Sequence, residues 1–500
     1  MIYAALNAAV GALLVLGAAI GGGSLAKLPY VMLMFAICSS PIPFIGRLNG
    51  PFAILGVALA TYFLNFAMLD AVSMLSPPTL AHANEGFLDG GEVVLLIGAL
   101  MQTIGFHVAA RFARARTGRG LPQDWPLALL VPLGLLLWSS GCAADLYQNL
   151  VVHVDATDAS VKAGFSKLGP WGTAGLMLVN YAAPLGVVIL AYWWAVSRNR
   201  SSSALMLAII ILQFAVGWVV DTKEVAVNAP IVMLLTRFIV LGKVPVRWLA
   251  CSVIGVLLVF PVLTAKRAIT TEALRLTNVQ ALPRTGEILL RAITERNAAR
   301  EGKYSDKTQS FLERMTNKGS VELFVQRVGV DQPYKMGSTL VSMLYVFIPR
   351  VIFSDKPGGN SAQTFNRDFH LSEDPDTYIS PSHIGELYWN FGYPGVVVGT
   401  MLTGMILGFV FGRFDPSART SMTRVLIIIV TLYELVARTG GQIELEYVLW
   451  LRTLLMIGIL HLVLARTVLQ YAPVAISTAR PSAGPDRLPG ALVRFPNLIR

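Results

Sequence analysis

An all-α, polytopic integral membrane protein is the fold class this chain predicts, and three observations predict it. Hydrophobic residues fill 54% of the 500 positions and charged residues only 14%. A water-soluble domain cannot bury that much apolar surface. The apolar residues gather in runs close to the roughly 20 residues that a helix needs to cross a bilayer. Arginine and lysine gather in nearly every second loop between those runs, as the positive-inside rule expects of cytoplasmic loops.

Nine spans are expected ahead of one large polar loop, at about 2–20, 28–46, 51–69, 93–110, 126–143, 171–196, 204–220, 225–241 and 248–264. Three follow it, at about 393–411, 423–438 and 446–465. The first run lacks a basic start and a small-residue cleavage site, so it reads as a retained span and not a signal peptide. Arg111, Arg114, Arg116 and Arg119 follow the fourth span, Arg198 and Arg200 the sixth, Lys243 and Arg247 the eighth, and Arg413, Arg419 and Arg424 the tenth. The alternate loops are acidic or mixed, and Asp70 to Glu92 holds no Lys or Arg. Both termini are therefore assigned to the cytoplasm, with Lys27 the one mild exception to the pattern.

The resulting layout is helices one to nine over residues 1–264, a large non-cytoplasmic loop over 265–392, helices ten to twelve over 393–466, and a basic Pro- and Gly-containing tail over 467–500. In the loop, Ile288, Leu289, Ala292 and Ile293 have helical spacing, as do Phe311 with Met315 and Phe324 with Val328. A small helical cap is expected. Leu340 to Phe353 is apolar but short for a crossing and is interrupted by Pro349-Arg350, so it reads as a re-entrant or interfacial segment near 340–353. The net charge of +11 would suggest nucleic acid in a soluble chain; here it fits arginine-rich loops against anionic lipid, and no nucleic-acid partner is expected. Cys38, Cys142 and Cys251 lie in apolar runs and read as small core residues.

Polar chemistry concentrates between Met336 and Gly395. Arg350 and Lys356 stand where a lipid headgroup would sit; guanidinium grips phosphate oxygens in pairs and ammonium adds a point charge. Both could equally anchor the segment by snorkelling. Arg327 and Arg267 are weaker phosphate candidates. Ser380 reads as an N-cap with Pro381 at the first helical position, the helix stopping at Gly392. On it His383, Glu386 and Asn390 fall at i, i+3 and i+7, one polar face, with Ile384, Leu387 and Phe391 on an apolar one. His383 with Glu386 could serve as a general base and its partner, or be structural. Tyr378, Tyr388, Trp389 and Tyr393 would suit stacking on sugar rings or an interfacial aromatic belt. Lys223 sits in a short outer turn, and Glu434, Arg438 and Arg452 approach the same side as substrate contacts or as a structural ion pair. Asp374-Pro375-Asp376 is too short a match to imply a metal, and no H-E-x-x-H, P-loop, G-x-G-x-x-G or C-x-x-C occurs.

The Gly337-Ser338-Thr339 lead-in, the run to Ile348-Pro349-Arg350 and Asp355-Lys356-Pro357 resemble the Wzy-type oligosaccharide repeat-unit polymerases. The stretch Ser380-Pro381-Ser382-His383-Ile384-Gly385-Glu386-Leu387-Tyr388-Trp389-Asn390-Phe391-Gly392-Tyr393-Pro394-Gly395 is similar to the end of their outer loop. The resemblance implies a member of the O-antigen polymerase and ligase superfamily in the bacterial inner membrane, its large loop periplasmic. It implies glycosyl transfer from one undecaprenyl-pyrophosphate-linked oligosaccharide to another, without metal or cofactor. Arg350, Lys356, Arg438, Lys223 and Arg327 would bind the pyrophosphate, His383 or Glu386 would take the acceptor proton, and Tyr388 and Asn390 would contact glycan. Partners would be the lipid-linked substrates, membrane lipids, and a chain-length regulator and flippase. Two other readings stay open: a ligase moving glycan to lipid A core or protein, and a lipid-linked-sugar flippase.

Overall fold

A computed structural model gives an α-helical bundle, with no strand among the described residues. Those residues are 2–21, 25–45, 51–74, 88–114, 125–152, 172, 175–176, 179–197, 199–220, 223–243, 247–252, 255, 284, 286–287, 317–345, 348, 353, 361–372, 377–414 and 421–471. In chain order the helices are α1 (Ile2–Gly21), α2 (Leu28–Ser39), α3 (Pro51–Phe66), α4 (Met68–Ser73), α5 (Gly90–Arg114), α6 (Leu127–Tyr147) and α7 (Ala182–Ser197). Then come α8 (Arg200–Val220), α9 (Lys223–Leu241), α10 (Lys318–Arg327), α11 (Ser361–Phe369), α12 (His383–Arg413), α13 (Met422–Thr431) and α14 (Ile443–Tyr471).

Six of these, α1, α5, α6, α8, α12 and α14, are long and apolar enough to cross a membrane, and α2, α3, α7 and α9 are shorter apolar helices. The chain is a multi-pass membrane protein. A helix lies over each expected span except the ninth, which falls largely outside the described residues, as do Ile288–Ile293 and Phe311–Met315. The eleventh changes character: α13 gives way to a π-helical turn, Leu432–Ala437. Cys38 and Cys142 are buried as expected, whereas Cys251 is exposed.

The contact between α5 and α12 is the closest in the bundle, and glycine makes it possible. Gly404, Gly408 and Gly412 recur every fourth residue, on one helix face. A Cβ on Gly404 would lie 2.0 Å from the Gln102 carbonyl oxygen, one on Gly408 2.3 Å from that of Phe106, and one on Gly105 2.1 Å from that of Met401. The backbones touch. Beyond the Gly392 kink α12 runs in the same direction as α5, with Gly404 meeting Gln102, Gly408 meeting Phe106 and Gly412 meeting Ala113. Before the kink Leu387 packs back against Gly395 and Gly399. Gly404→Ala is therefore expected to force the helices apart and cost about 1–3 kcal/mol or more. Gly56→Ala, where a Cβ meets nothing within 4 Å, should keep or slightly raise stability. Melting temperatures of the two detergent-purified variants check the contrast.

Because α5 and α12 run parallel beyond the kink, the bundle has two chemically distinct ends. Arg111, Arg114 and Arg413 lie at one, near which Trp125 Nε1 donates to Thr423 Oγ1 (3.0 Å) and Thr423 meets His461 (2.9 Å). At the other end the polar segment packs. Asp89 and Glu92 form a reciprocal capping box on α5: Glu92 N–H donates to Asp89 Oδ1 (2.8 Å) and Asp89 N–H to Glu92 Oε2 (3.1 Å). Lys318, the first residue of α10, sends its Nζ between Asp70 (2.9 Å) and Glu92 (2.7 Å), with Glu322 at 3.3 Å and the Tyr30 ring 5.1 Å below. Lys27 joins from α2's start, 2.8 Å from Glu92 and 3.4 Å from Asp89. That explains the exception in the charge pattern: Lys27 is buried against carboxylates, not displayed in a loop. Burial opposes the charge on Lys318, but Asp70, Glu322 and Glu92 outweigh it and raise its pKa. Asp70 and Glu322 are themselves pushed up by burial, which their contact with Lys318 only partly offsets. Asp89, Glu92 and Glu322 place ligand atoms within 4.8 Å of one another, and the two ammoniums already supply cationic charge there.

Candidate functional site

The polar face read from His383, Glu386 and Asn390 is at the lysine end of the bundle, and all three side chains are buried. The helix begins two residues later than expected. Its N-cap is Ser382, whose Oγ accepts from Gly385 N–H (3.1 Å), while the Ser380 hydroxyl turns away to the Gly440 carbonyl. Ser382 takes φ 62°, a left-handed conformation that costs a non-glycine residue strain. The helix also does not stop at Gly392. It kinks there (φ 63°, ψ −150°) and resumes at once toward Arg413.

His383 is fixed through its backbone, its N–H donating to the Thr439 carbonyl at 3.0 Å. Its ring lies 6.2 Å from that of Tyr447, and Nε2 has no hydrogen-bond partner among the described residues. Glu386 is 0% exposed. Its Oε2 accepts from Ile443 N–H (2.8 Å), so the carboxylate caps the first turn of α14, where the helix dipole favours negative charge. Oε1 makes no hydrogen bond among the described residues, and the Thr339 and Ser361 hydroxyls are polar neighbours of the carboxyl group. Ser361 in turn donates to Gln442 Oε1 (3.1 Å). Asn390 uses its whole amide within the protein. Nδ2 donates to Thr339 Oγ1 and to the Glu386 carbonyl, each at 2.7 Å, and Oδ1 accepts from Gly337 N–H at 2.8 Å.

The turn Thr439–Gly441 is the hub of this arrangement. Besides His383 it engages Asn65, whose Nδ2 donates to Thr439 Oγ1 (3.4 Å), and Asn317, whose Nδ2 lies 2.0 Å from where a Gly440 Cβ would be. The same turn presents Arg438. Its guanidinium is 3.1 Å from Glu434 and 3.4 Å from Glu446 and lies over the Tyr433 ring at 4.9 Å. The π-turn that carries Glu434 borders a small cavity whose walls include Tyr181, Val188, Val232, Ile429, Tyr433 and Glu434. Such turns are frequent at functional positions.

The structure thus brings His383, Glu386, Asn390 and Arg438 to one neighbourhood. Arg327 is elsewhere, held by Asp331 (2.8 Å) and over the Phe369 ring (5.2 Å), and reaches α12 only through the aromatic cluster in which Phe324 stacks on Trp389. Tyr388 is 5% exposed, its ring edge-on to Tyr393 at 5.4 Å. Lys223 opens α9, but its side chain lies outside the described residues, as do Arg350, Lys356, Arg267 and Asp374–Asp376. The expected interfacial segment begins as a 3-10 helix, Ser338–Tyr345. Sequence reasoning gave Thr339 only as part of the Gly337-Ser338-Thr339 lead-in and did not find Ser361, Thr439, Gln442 or Glu446, which lie far from His383 in the chain and carry no periodic signal. The Gly440-Gly441 pair was the one available sign of a tight turn.

Comparison of the chain with protein-family models, with curated proteins and with solved structures gives no match.

Proposed function

We propose that the chain is a glycosyltransferase of the bacterial inner membrane that joins oligosaccharide repeat units carried on undecaprenyl pyrophosphate, at the periplasmic face. The observation that carries this reading is the buried polar face on α12. His383 Nε2 and Glu386 Oε1 are buried, without hydrogen-bond partners among the described residues, and share the neighbourhood of Arg438. Buried polar atoms are normally satisfied, and unpaired ones call for an explanation such as a catalytic role. The resemblance of Met336–Gly395 to repeat-unit polymerases supplies the reaction class.

In this reading a hydroxyl at the acceptor glycan's end attacks the anomeric carbon of the donor. The carbon–oxygen bond to pyrophosphate breaks, and the lipid pyrophosphate leaves with the electron pair. The acceptor proton passes to His383 Nε2 or Glu386 Oε1, within reach of a positioned base. The Ile443 N–H holds Glu386 through Oε2 and leaves Oε1 without a hydrogen bond among the described residues. Arg350, Lys356, Arg438 and Lys223 are the cations from which the pyrophosphate site is built, stabilising charge as it develops on the leaving group; Arg327, paired with Asp331, stands apart from them. Asn390 sets the 337–339 turn beside the acceptor, and Tyr388 backs the glycan path. Cytoplasmic termini and a periplasmic 265–392 segment complete the reading, with membrane lipids, a chain-length regulator and a flippase as partners.

Deletion of the gene tests it in the producing cell. A polymerase deletion leaves single repeat units on the lipid carrier. Long polymer retained on the carrier would make the enzyme a ligase, and unchanged glycolipids would overturn the reading.

A further inference from the structure

Among the described residues, positive-φ glycines occur at Gly242, Gly329, Gly337 and Gly392, and three of the four lie under aromatic rings. A Cβ on Gly392 would be 3.3 Å from Tyr334 Cε1, and one on Gly329 would be 3.1 Å from Tyr334 Oη. A Cβ on Gly337 would be 3.1 Å from Phe391 Cζ. Tyr334 therefore rests directly on backbone at two separate turns. The chain that carries it is clipped to the kink of α12: Lys335 N–H donates to the Trp389 carbonyl (3.0 Å) and Met336 N–H to the Asn390 carbonyl (3.1 Å). The second bond replaces one the helix cannot make, since the residue four beyond Asn390 is Pro394, which has no N–H. Lys335 is further pinned by Asp368 at 2.6 Å. Despite this backing the rings stay open, Tyr334 41%, Phe391 43% and Tyr393 42% exposed.

We propose that Tyr334, flanked by Phe391 and Tyr393 at the Gly392 kink, is a stacking platform for a pyranose ring of the glycan substrate. This rests on the glycosyltransferase reading and adds a binding subsite to it. An aromatic face carries partial negative charge, and the axial C–H bonds of a pyranose present a weakly positive apolar face to it. A rigid ring loses little entropy on binding. Gln332 and Lys335, both tied to Asp368, give the ring a polar rim. An interfacial anchor needs depth in the membrane but no glycine-backed ring, whereas a stacking surface needs its ring held still. The Gly392 kink lies nine helical residues from His383, about 14 Å at 1.5 Å per residue. The platform thus holds the body of the glycan and not the reacting sugar.

The test uses the purified full chain in nanodiscs and, as probe, the free oligosaccharide repeat released by mild acid from the cells' own lipid carrier. Tyr334→Phe should bind the oligosaccharide within about twofold of the parent and Tyr334→Leu about tenfold more weakly. In polymer assays Tyr334→Leu should raise KM with kcat little changed. Should Tyr334→Leu prove unfolded by its melting temperature, Tyr393→Leu gives the same comparison. Parent-like binding by the leucine variant makes the ring an interfacial anchor and overturns the platform. Equal weakening by phenylalanine and leucine overturns it also, because the hydroxyl and not the ring face would then be the contact. So does absence of oligosaccharide binding by the parent. A chain that binds through Tyr334 yet makes no polymer overturns the polymerase reading alone.

Discussion

Lys318→Met is expected to leave little folded protein. The substitution keeps most of the side-chain volume and removes one charge, so its effect reads the electrostatics of the site. Asp70 loses both of its 2.9–3.0 Å hydrogen bonds to Nζ, and Glu92 keeps Lys27 as its one remaining ammonium partner among the described residues. Removing one partner of a buried ion pair costs about 3–5 kcal/mol, because the other charge stays buried and uncompensated. That is a large part of the about 5–15 kcal/mol by which folded proteins are stable. Lys318→Met/Asp70→Leu should recover much of the loss, since the stranded carboxylate goes with the ammonium. Melting temperature and yield of monodisperse protein in detergent measure both. A parent-like Lys318→Met would show that α10 is not held to the bundle by this cluster.

The second large effect concerns α12. His383→Gln and Glu386→Gln each keep a hydrogen-bonding side chain and remove a base, so both should fold. Glu386→Gln is a better test than Glu386→Ala, because an amide oxygen can still accept from Ile443 N–H. The alanine would strand that donor at about 1–3 kcal/mol. His383→Ala removes a ring whose Nε2 bonds nothing among the described residues, so it should cost packing alone. Loss of a general base lowers the rate about 10²–10⁴-fold. Accumulated single repeats on the lipid carrier, with normal protein levels, are the expected result. An inactive Glu386→Gln beside an active His383→Gln would assign the base to the carboxylate. Normal polymer from both would move the acceptor's base off this helix.

Much of the fold was legible because bilayer crossing writes itself into sequence as length and hydrophobicity. The positions of α1, α5, α6, α8, α12 and α14 follow from that constraint. The polar face of α12 was legible too, since the spacing of His383, Glu386 and Asn390 depends only on helix geometry. What covers that face was not. Thr339, Ser361 and Ile443 reach Glu386 from three separate segments, and no local pattern records such a meeting. The N-cap was misplaced for a physical reason: Ser380-Pro381 is a good local start, but Ser380 is drawn to Gly440 and the cap passes to Ser382. Tertiary hydrogen bonding overrode local propensity. Lys318 carried no signal at all, because a lysine in a charged loop looks like every other until its carboxylates arrive from α4 and α5.

Reconstitution tests the central claim most directly. The purified chain in proteoliposomes is supplied with undecaprenyl-pyrophosphate-linked repeat units and no added metal or nucleotide sugar. Lipid-linked products of two or more repeats should appear, with one undecaprenyl pyrophosphate released for each bond formed, and His383→Gln/Glu386→Gln should form none. Unchanged substrate in the presence of well-folded parent protein, or equal product from the double variant, would contradict the account.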